Sequence, residues 1–189
     1  MKKLFLIIGA PGSGKTTDAE IIANKNDAIT HYSTGDMLRA EVVSKSARGK
    51  EIDSFISKGL IVPINIAIET IVDAIKNAST PIVLLDGYPR SIEQMEALEI
   101  FLQNETNISL VSVIEVSVSE QTARERVLGR ARGADDDVTV FNNRMRVYLE
   151  PLTKIKKFYN DKNILNTISG EGTIEEVVEF MQHAINTKI

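Results

Sequence analysis

The sequence predicts an α/β fold of three layers, in which helices cover both faces of a five-stranded parallel sheet. Short runs of apolar and β-branched residues recur five times along the chain, and stretches with helical spacing separate them. Strands that alternate with helices in this way form βαβ units, which build parallel sheets covered on both faces. The length of 189 residues fits one domain with one core.

The first predicted strand is the apolar run KLFLII at residues 3–8. Four further runs predict the other strands: ITHY at 29–32, PIVLLD at 81–86, SLVSVIEVSV at 109–118 and NILNTIS at 163–169. Helical spacing predicts six helices, at residues 18–24, 36–44, 64–77, 91–102, 120–128 and 174–185. Two regions, 34–62 and 129–137, add chain without adding a strand, so we expect them to form mobile flaps on the core.

The composition excludes several classes of protein. There are no cysteines, so neither a disulfide nor a thiolate metal site can form. His31 and His183 are too far apart in the sequence to indicate a pair of zinc ligands. The net charge of −4 gives no basic footprint for nucleic acid. We therefore expect no zinc and no nucleic-acid partner.

The opening segment MKKLFLIIGA imitates a signal peptide, because two lysines precede an apolar run. The run is short, however, and Pro11 and Gly12 follow it where a signal peptide would have a small-residue cleavage site. A buried strand explains it better. No stretch approaches the roughly 20 apolar residues that a membrane-spanning helix needs. We therefore expect a cytoplasmic protein with no membrane partner.

The segment GAPGSGKT, from Gly9 to Thr16, matches the pattern G-x-x-x-x-G-K-[ST] in full. In such a phosphate loop (P-loop), glycines turn backbone N–H groups toward phosphate oxygens, the lysine adds a positive charge, and the following helix presents its positive end. A glycine-rich strand-to-helix turn with a solvated lysine is the alternative. The match predicts a nucleoside triphosphate site at Gly12, Ser13, Gly14, Lys15, Thr16 and Thr17.

Asp86 ends the buried run PIVLLD. Beside a P-loop, a carboxylate at the end of a strand can hold Mg²⁺ through the water shell of the ion. An ordinary aspartate that starts a turn is the alternative. The sequence therefore predicts a water-mediated magnesium site at Asp86, with the Thr16 hydroxyl as a candidate direct ligand.

Four further motifs follow the P-loop segment GAPGSGKTT (9–17): STGDMLR (33–39), DGYPRSIEQ (86–94), GRARGADD (129–136) and NNRMR (142–146). Their order and spacing resemble those of adenylate kinases of the short-lid form, over essentially the whole chain. The resemblance implies reversible transfer of a phosphoryl group from Mg-ATP to AMP, giving two ADP, by a monomer whose partners are small-molecule nucleotides. It also implies an insertion that binds nucleoside monophosphate (NMP) at 33–62, a short lid at 129–137, and a core of 1–32, 63–128 and 138–189.

On the AMP side, the resemblance implies contacts from the insertion and from the GYPR turn. An arginine fork can hold a monophosphate through two bonds, which suits Arg39. A glutamine can both donate to and accept from an adenine edge, which suits Gln94. The implied AMP-binding residues are Thr34, Arg39, Leu60, Ile61, Val62, Gly87, Tyr88, Pro89, Arg90, Gln94, Arg132 and Arg144.

Several of these residues also have a simpler structural interpretation. Arg39 is then a solvated helix arginine, and residues 60–62 are ordinary core. Thr34 is then a helix cap. The spacing of Ser91 and Gln94 also fits a capping box at the start of a helix.

The resemblance assigns the arginines around the predicted lid to the reaction. Arg130 contacts ATP, whereas Arg132 and Arg144 contact the AMP side of the transferred group. Negative charge spreads over the oxygens of a phosphoryl group in transfer, so converging arginines suit its transition state. Together with Lys15 and Arg90, these three arginines form the implied catalytic set.

Other residues near these motifs receive weaker assignments. Gly172, in the segment SGEGTIEE, matches a loop that contacts the ATP adenine, although a turn explains such a loop equally well. Asp135 and Asp136 match lid carboxylates or a solvated acidic turn. The remaining arginines of this region are interpreted as solvated or paired at the surface, namely Arg124, Arg126 and Arg146.

The chain departs from many adenylate kinases at Thr16 and Thr17, where they carry Gly-Thr, so which hydroxyl approaches Mg²⁺ stays open. A UMP/CMP kinase is the nearest alternative function, against which Thr34 and Gln94 argue. A regulatory P-loop switch is a second alternative. The letters NKND at 24–27 fit a guanine-reading motif, but they lie at the end of the first predicted helix and not after a late strand.

Overall fold

The computed structural model describes residues 1–130 and 137–189, and a five-stranded parallel sheet forms its centre. All neighbouring strands pair in parallel, in the order β2-β3-β1-β4-β5. The predicted fold class is confirmed, and each predicted strand overlaps an observed one. The strands are β1 (Lys2–Gly9), β2 (Ile29–Ser33), β3 (Ile82–Asp86), β4 (Ile108–Ser117) and β5 (Leu165–Ser169).

Eight helices accompany the sheet in the described ranges. They are α1 (Lys15–Asn24), α2 (Thr34–Val43), α3 (Ala47–Ile56), α4 (Ile64–Asn77), α5 (Ile92–Gln103), α6 (Glu120–Gly129), α7 (Val138–Asp161) and α8 (Ile174–Asn186). The sequence predicts six of them but misses α3 and α7. Helix α7 runs for 24 residues with Pro151 inside it, and proline breaks or kinks most helices. Within the described residues, no helix has both the length and the apolar character needed to cross a membrane.

The sheet separates two apolar layers, because alternate residues of a strand point to opposite faces. On one face, Leu4 and Leu6 of β1 pack in a buried cluster with residues of α4, α5 and α7. On the other face, Phe5 and Ile7 pack in a second cluster with residues of α1 and α8. Burial on both faces explains why the strands are continuous apolar runs in the sequence.

The carboxyl ends of the five parallel strands lie at one edge of the sheet, where ligands bind in open α/β folds. The P-loop follows β1, α2 follows β2, and the GYPR turn follows β3. Helix α6 follows β4, and the loop 170–173 follows β5. Helices α2 and α3 fill most of the segment 33–62. Motifs that are far apart in the sequence therefore meet at a single cleft.

Candidate active site

Glycine conformations determine the shape of the P-loop between β1 and α1. Gly12 and Gly14 have φ angles of 82° and 92°, a left-handed backbone that favours glycine. A Cβ atom on Gly12 would lie 2.5 Å from the carbonyl oxygen of Ala123 in α6, so no larger residue fits. Among the described residues, no side chain caps α1 at Gly14. The first N–H groups of α1 are therefore open to an anion, as the motif predicts.

Lys15 lies in the cleft, where its ammonium group donates a hydrogen bond to the carbonyl oxygen of Ala10 at 3.3 Å. Burial lowers the pKa of Lys15 to about 8, and the Asp86 carboxylate opposes this shift. Positive charges nearby lower the same pKa further; they belong to Arg90, Arg144 and Arg130. A cation crowded by other cations favours an anionic ligand, because the ligand stabilises every charge in the group.

Asp86, buried at the end of β3, connects a side chain of α1 with a side chain of β2. Its Oδ1 accepts a hydrogen bond from the Thr16 hydroxyl at 3.2 Å, and its Oδ2 lies 2.7 Å from His31 Nε2. The oxygens of Thr16 and Asp86 suit Mg²⁺, which prefers oxygen ligands and keeps several waters. Thr17 is exposed instead. Within the described residues, no group of three or more His, Asp or Glu side chains is arranged to hold a metal ion.

Three arginines from different parts of the chain converge opposite the P-loop. Arg39 lies on α2, Arg90 follows β3, and Arg144 lies on α7, and all three line one cleft with Lys15. A Cβ atom on Gly35 would lie 3.2 Å from Arg39 Nη2 and 3.5 Å from Arg90 Nη2. Arg90 Nε also donates to the carbonyl oxygen of Gly87 at 2.7 Å. This second cluster of positive charge indicates a second anion site.

An apolar wall continues the cleft beside the arginines. Leu60 and Ile61 line it, whereas Val62 is buried in the core behind it. Pro89 also lines the cleft, but Tyr88 is buried, and its hydroxyl donates to the carbonyl oxygen of residue 94 at 2.7 Å. The structure thus brings three of these predicted AMP residues to the cleft and places Val62 and Tyr88 behind it.

Ser33, and not Thr34, caps the start of α2. The Ser33 hydroxyl caps the helix by accepting a hydrogen bond from the Asp36 N–H at 3.3 Å. Thr34 is buried, and its hydroxyl has no hydrogen-bond partner among the described residues. Thr34 therefore does not cap α2 through its side chain.

The start of α5 makes only one half of the capping box that the sequence allows. The Ser91 hydroxyl accepts a hydrogen bond from the Gln94 N–H at 3.1 Å. The Gln94 side chain does not return this bond; its Oε1 accepts from the Arg90 N–H at 2.8 Å. Gln94 is buried and so holds the backbone of the GYPR turn in place.

Arg126 lies in the cleft, so its interpretation as a solvated or surface-paired arginine is wrong. Its Nη1 donates to the carbonyl oxygens of Gly170, at 2.9 Å, and Ser13, at 3.5 Å. Arg130 follows one turn later at the end of α6 and lines the same cleft with Gly172. The four-residue spacing of the two arginines was the available signal, because it places them on one face of the helix.

Residues 131–136 of the predicted lid lie outside the described residues, and they include the predicted Arg132, Asp135 and Asp136. The next residue, Asp137, begins α7 by accepting hydrogen bonds from the N–H groups of Thr139 and Val140 at 2.7 and 3.3 Å. These bonds lower the pKa of Asp137. Arg124 and Arg146 are exposed, as their interpretation as solvated residues requires.

Asp18, in the first turn of α1, is a cleft residue that sequence reasoning missed. Its side chain is buried, and it lines the cleft with Thr17 and Gly172. Burial raises the pKa of Asp18 to about 6, and the charges of Arg126 and Lys15 oppose this shift. No sequence pattern marks this aspartate, since acidic residues are common in the first turn of a helix.

Comparisons with known proteins agree with this geometry. The family model described as adenylate kinase matches residues 7–164. A curated relative from Campylobacter lari, named adenylate kinase, is 63% identical over 186 residues, which cover 98% of each chain. A relative of the same name from Wolinella succinogenes is 64% identical over 190 residues, covering 100% of both chains. Another, from Helicobacter pylori, is 59% identical over 98% of this chain and 97% of its own.

Proposed function

Because the chain belongs to the adenylate kinase family, we propose that it transfers the terminal phosphoryl group of Mg-ATP to AMP, reversibly, and so balances the adenine nucleotides. The observation that carries this proposal is the pairing, in one cleft, of a P-loop with the arginine cluster of Arg39, Arg90 and Arg144. A P-loop alone suits any enzyme that binds a nucleoside triphosphate. The second anion site indicates that a second phosphorylated substrate binds beside the nucleoside triphosphate.

ATP occupies the P-loop side of the cleft. The N–H groups of residues 12–17 and the ammonium group of Lys15 hold its phosphates, assisted by the open N-terminus of α1. Arg130 adds a charge-assisted bond to a phosphate. Gly172, in the loop after β5, lies at the end of this ATP half-site, as we call the ATP side of the cleft, where the adenine would bind.

AMP occupies the opposite side, between the GYPR turn and the insertion at 33–62. The guanidinium groups of Arg39 and Arg90 bind its phosphate, and Leu60 and Ile61 form an apolar wall for its base. Thr34 supports the base contact with a buried hydroxyl that lacks a partner among the described residues. The other proposed AMP-side contacts come from Gly87, Pro89, Gln94, Arg132 and Arg144.

Phosphoryl transfer needs little covalent chemistry from the protein, so the side chains act by position and charge. The two half-sites place an AMP oxygen in line with the terminal phosphorus of ATP. Lys15, Arg130 and Arg144 stabilise the charge that spreads over the transferred group in the transition state. Arg132, in the lid at 129–137, joins them when the lid closes and excludes water, which would otherwise hydrolyse ATP.

Thr16 and Asp86 would hold Mg²⁺, with the Asp86 carboxylate acting through water. The ion, when bound, neutralises phosphate charge and orients the phosphates of ATP. His31, at 2.7 Å from Asp86 Oδ2, fixes the carboxylate so that its other oxygen faces Thr16. We place the reaction in the cytoplasm and propose that the protein acts as a monomer on free nucleotides.

Phosphorus NMR of the purified protein with Mg-ATP tests the proposed function. AMP, CMP and UMP are added in separate tubes, and the formation of each diphosphate is followed. Rapid formation of ADP with AMP, and slow reaction with the pyrimidine nucleotides, is the expected result. Equal or faster reaction with CMP or UMP would assign the protein to pyrimidine nucleotides, and no reaction in any tube would leave a nucleotide-binding protein without transferase activity.

A further inference from the structure

One buried carboxylate in the nucleotide cleft has no role in the mechanism above. The Asp18 side chain is 2% exposed, and its Oδ2 atom has no hydrogen-bond partner among the described residues. Leaving a buried polar oxygen without a donor is costly, because the oxygen loses its bonds to water. An acceptor of this kind in a ligand cleft indicates a donor on the ligand.

The neighbours of Asp18 place this acceptor between two parts of the nucleotide site. Its Oδ2 atom lies 3.2 Å from the position of a Cβ atom on Gly14, so it lies against the P-loop. Gly172 and Ile174 line the same cleft, and Ala19, the next residue of α1, packs with Val177 of α8 in one buried cluster. Asp18 thus lies against the segment proposed to bind the phosphates, on a helix that packs against α8, which follows the loop proposed to meet the adenine.

The chemistry of a carboxylate selects the part of the nucleotide that it can bind. An ionised carboxylate only accepts hydrogen bonds, and it repels the negatively charged phosphates. The sugar connects the phosphates to the adenine, and its hydroxyl groups are donors. Arg126, whose charge acts on Asp18, forms no salt bridge with it in the described part of the chain.

We propose that Asp18 accepts a hydrogen bond from a ribose hydroxyl of the donor nucleotide, and so selects ribonucleoside triphosphates over their deoxy analogues. This inference rests on the proposed function, since it assigns a sugar contact within the ATP half-site. A helix-stabilising role is the competing explanation, because an acidic residue near the N-terminus of α1 interacts favourably with the helix dipole. Such a role would affect stability but would not depend on the sugar of the nucleotide.

The test compares ATP, 2′-deoxy-ATP and 3′-deoxy-ATP as donors to saturating AMP. We expect kcat/KM of the wild-type protein to fall about ten-fold for the analogue that lacks the contacted hydroxyl, as for the loss of a hydrogen bond to a charged group. In Asp18→Ala, kcat/KM should be nearly equal for ATP and that analogue. Asp18→Asn, which keeps the shape and a weaker acceptor, should lie between the two. Glu20→Ala, at an exposed position of the same helix, should discriminate as the wild type does.

Two results would overturn the inference: no discrimination by the wild-type protein, or equal discrimination by wild type and Asp18→Ala. A lower melting temperature with unchanged discrimination would establish the helix-stabilising role instead. Equilibrium binding of the same three nucleotides, measured by calorimetry, separates the inference from the proposed function. If ADP does not form but the binding preference depends on Asp18, the proposed function fails and the sugar contact stands.

Discussion

The two proposed phosphate sites of the cleft, one for ATP and one for AMP, are built in different ways. On the ATP side, one continuous segment presents its backbone N–H groups, and its shape depends on Gly12 and Gly14. On the AMP side, the side chains of Arg39, Arg90 and Arg144 come together from three separate elements. We call the first a backbone site, because the conformation of the folded chain itself forms it. We call the second a side-chain site, because it depends on side chains that the fold carries but does not need. Substitutions in the P-loop glycines should therefore reduce stability and activity together, and substitutions in the arginines should reduce activity alone.

Lys15→Met should give the largest effect, because Lys15 brings the positive charge of the P-loop into the cleft. We expect kcat to fall by about a thousand-fold or more, as the charge on the transferred phosphoryl group loses its nearest cation. Burial lowers the pKa of Lys15 to about 8, so its removal should leave the melting temperature unchanged or higher. Coupled assays and thermal unfolding measure both quantities. Lys25→Met, at the exposed end of α1, is the control, and wild-type turnover by Lys15→Met would refute the phosphate role.

Arg90→Lys tests the side-chain site without removing its charge. Lysine cannot form the two parallel bonds of a guanidinium group or replace the Nε bond to the Gly87 carbonyl oxygen. We expect kcat/KM for AMP to fall by about a hundred-fold, with little change in melting temperature or in KM for ATP. Arg124→Lys, on the exposed face of α6, should behave as wild type. An equal rise in KM for ATP would show that Arg90 serves both half-sites.

Gly12→Ala tests the backbone site through its conformation. The φ angle of 82° and the approach of a Cβ atom to within 2.5 Å of the Ala123 carbonyl oxygen both oppose a side chain. We expect a loss of about 2 kcal/mol in the free energy of unfolding, together with a higher KM for ATP. Urea denaturation and steady-state kinetics measure the two effects.

The matched control is Gly129→Ala at the end of α6, where no atom of the described residues lies within 4 Å of an added Cβ atom. This change should be neutral or slightly stabilising, because alanine favours a helix. If Gly12→Ala lost activity without losing stability, the conformation of the P-loop would not contribute to the stability of the fold, and the contrast between the two sites would fail.

The same contrast explains what the sequence could predict. The P-loop and the five strands depend on local patterns, so sequence alone located them. The arginine cluster required the family resemblance, because nothing local indicates that Arg39 and Arg144 meet. The contact between His31 and Asp86 depends on the pairing of β2 with β3, which no motif marks. Helix α7 was missed because Pro151 interrupts its pattern. Arg126 was misread because its partners are backbone carbonyl oxygens of two distant segments, which no motif marks.

The smallest expected effect concerns Glu171, which connects two elements on the ATP side through side-chain bonds. Its carboxylate accepts hydrogen bonds from the Ser119 N–H, at the start of α6, and from the Thr122 hydroxyl. These bonds favour the ionised form and hold the pKa of Glu171 below its ordinary value of 4.5. A carboxyl group with a lowered pKa stabilises the folded state above its unfolded pKa and loses this effect as pH falls through the folded value.

Glu171→Gln should therefore lower the melting temperature slightly at neutral pH, and the difference from wild type should disappear once the pH falls below the folded-state pKa. Glu179→Gln, at an exposed position of α8, should show no such pH-dependent difference. A difference that persisted in acid would mean that the bonds do not depend on the charge of Glu171. Because Arg126 also donates to the Gly170 carbonyl oxygen at 2.9 Å, side chains attach the loop 170–173 to α6 at two points. The phosphate end of the proposed ATP site thus depends on the backbone of the P-loop, whereas the position of the loop at its other end depends on side-chain bonds.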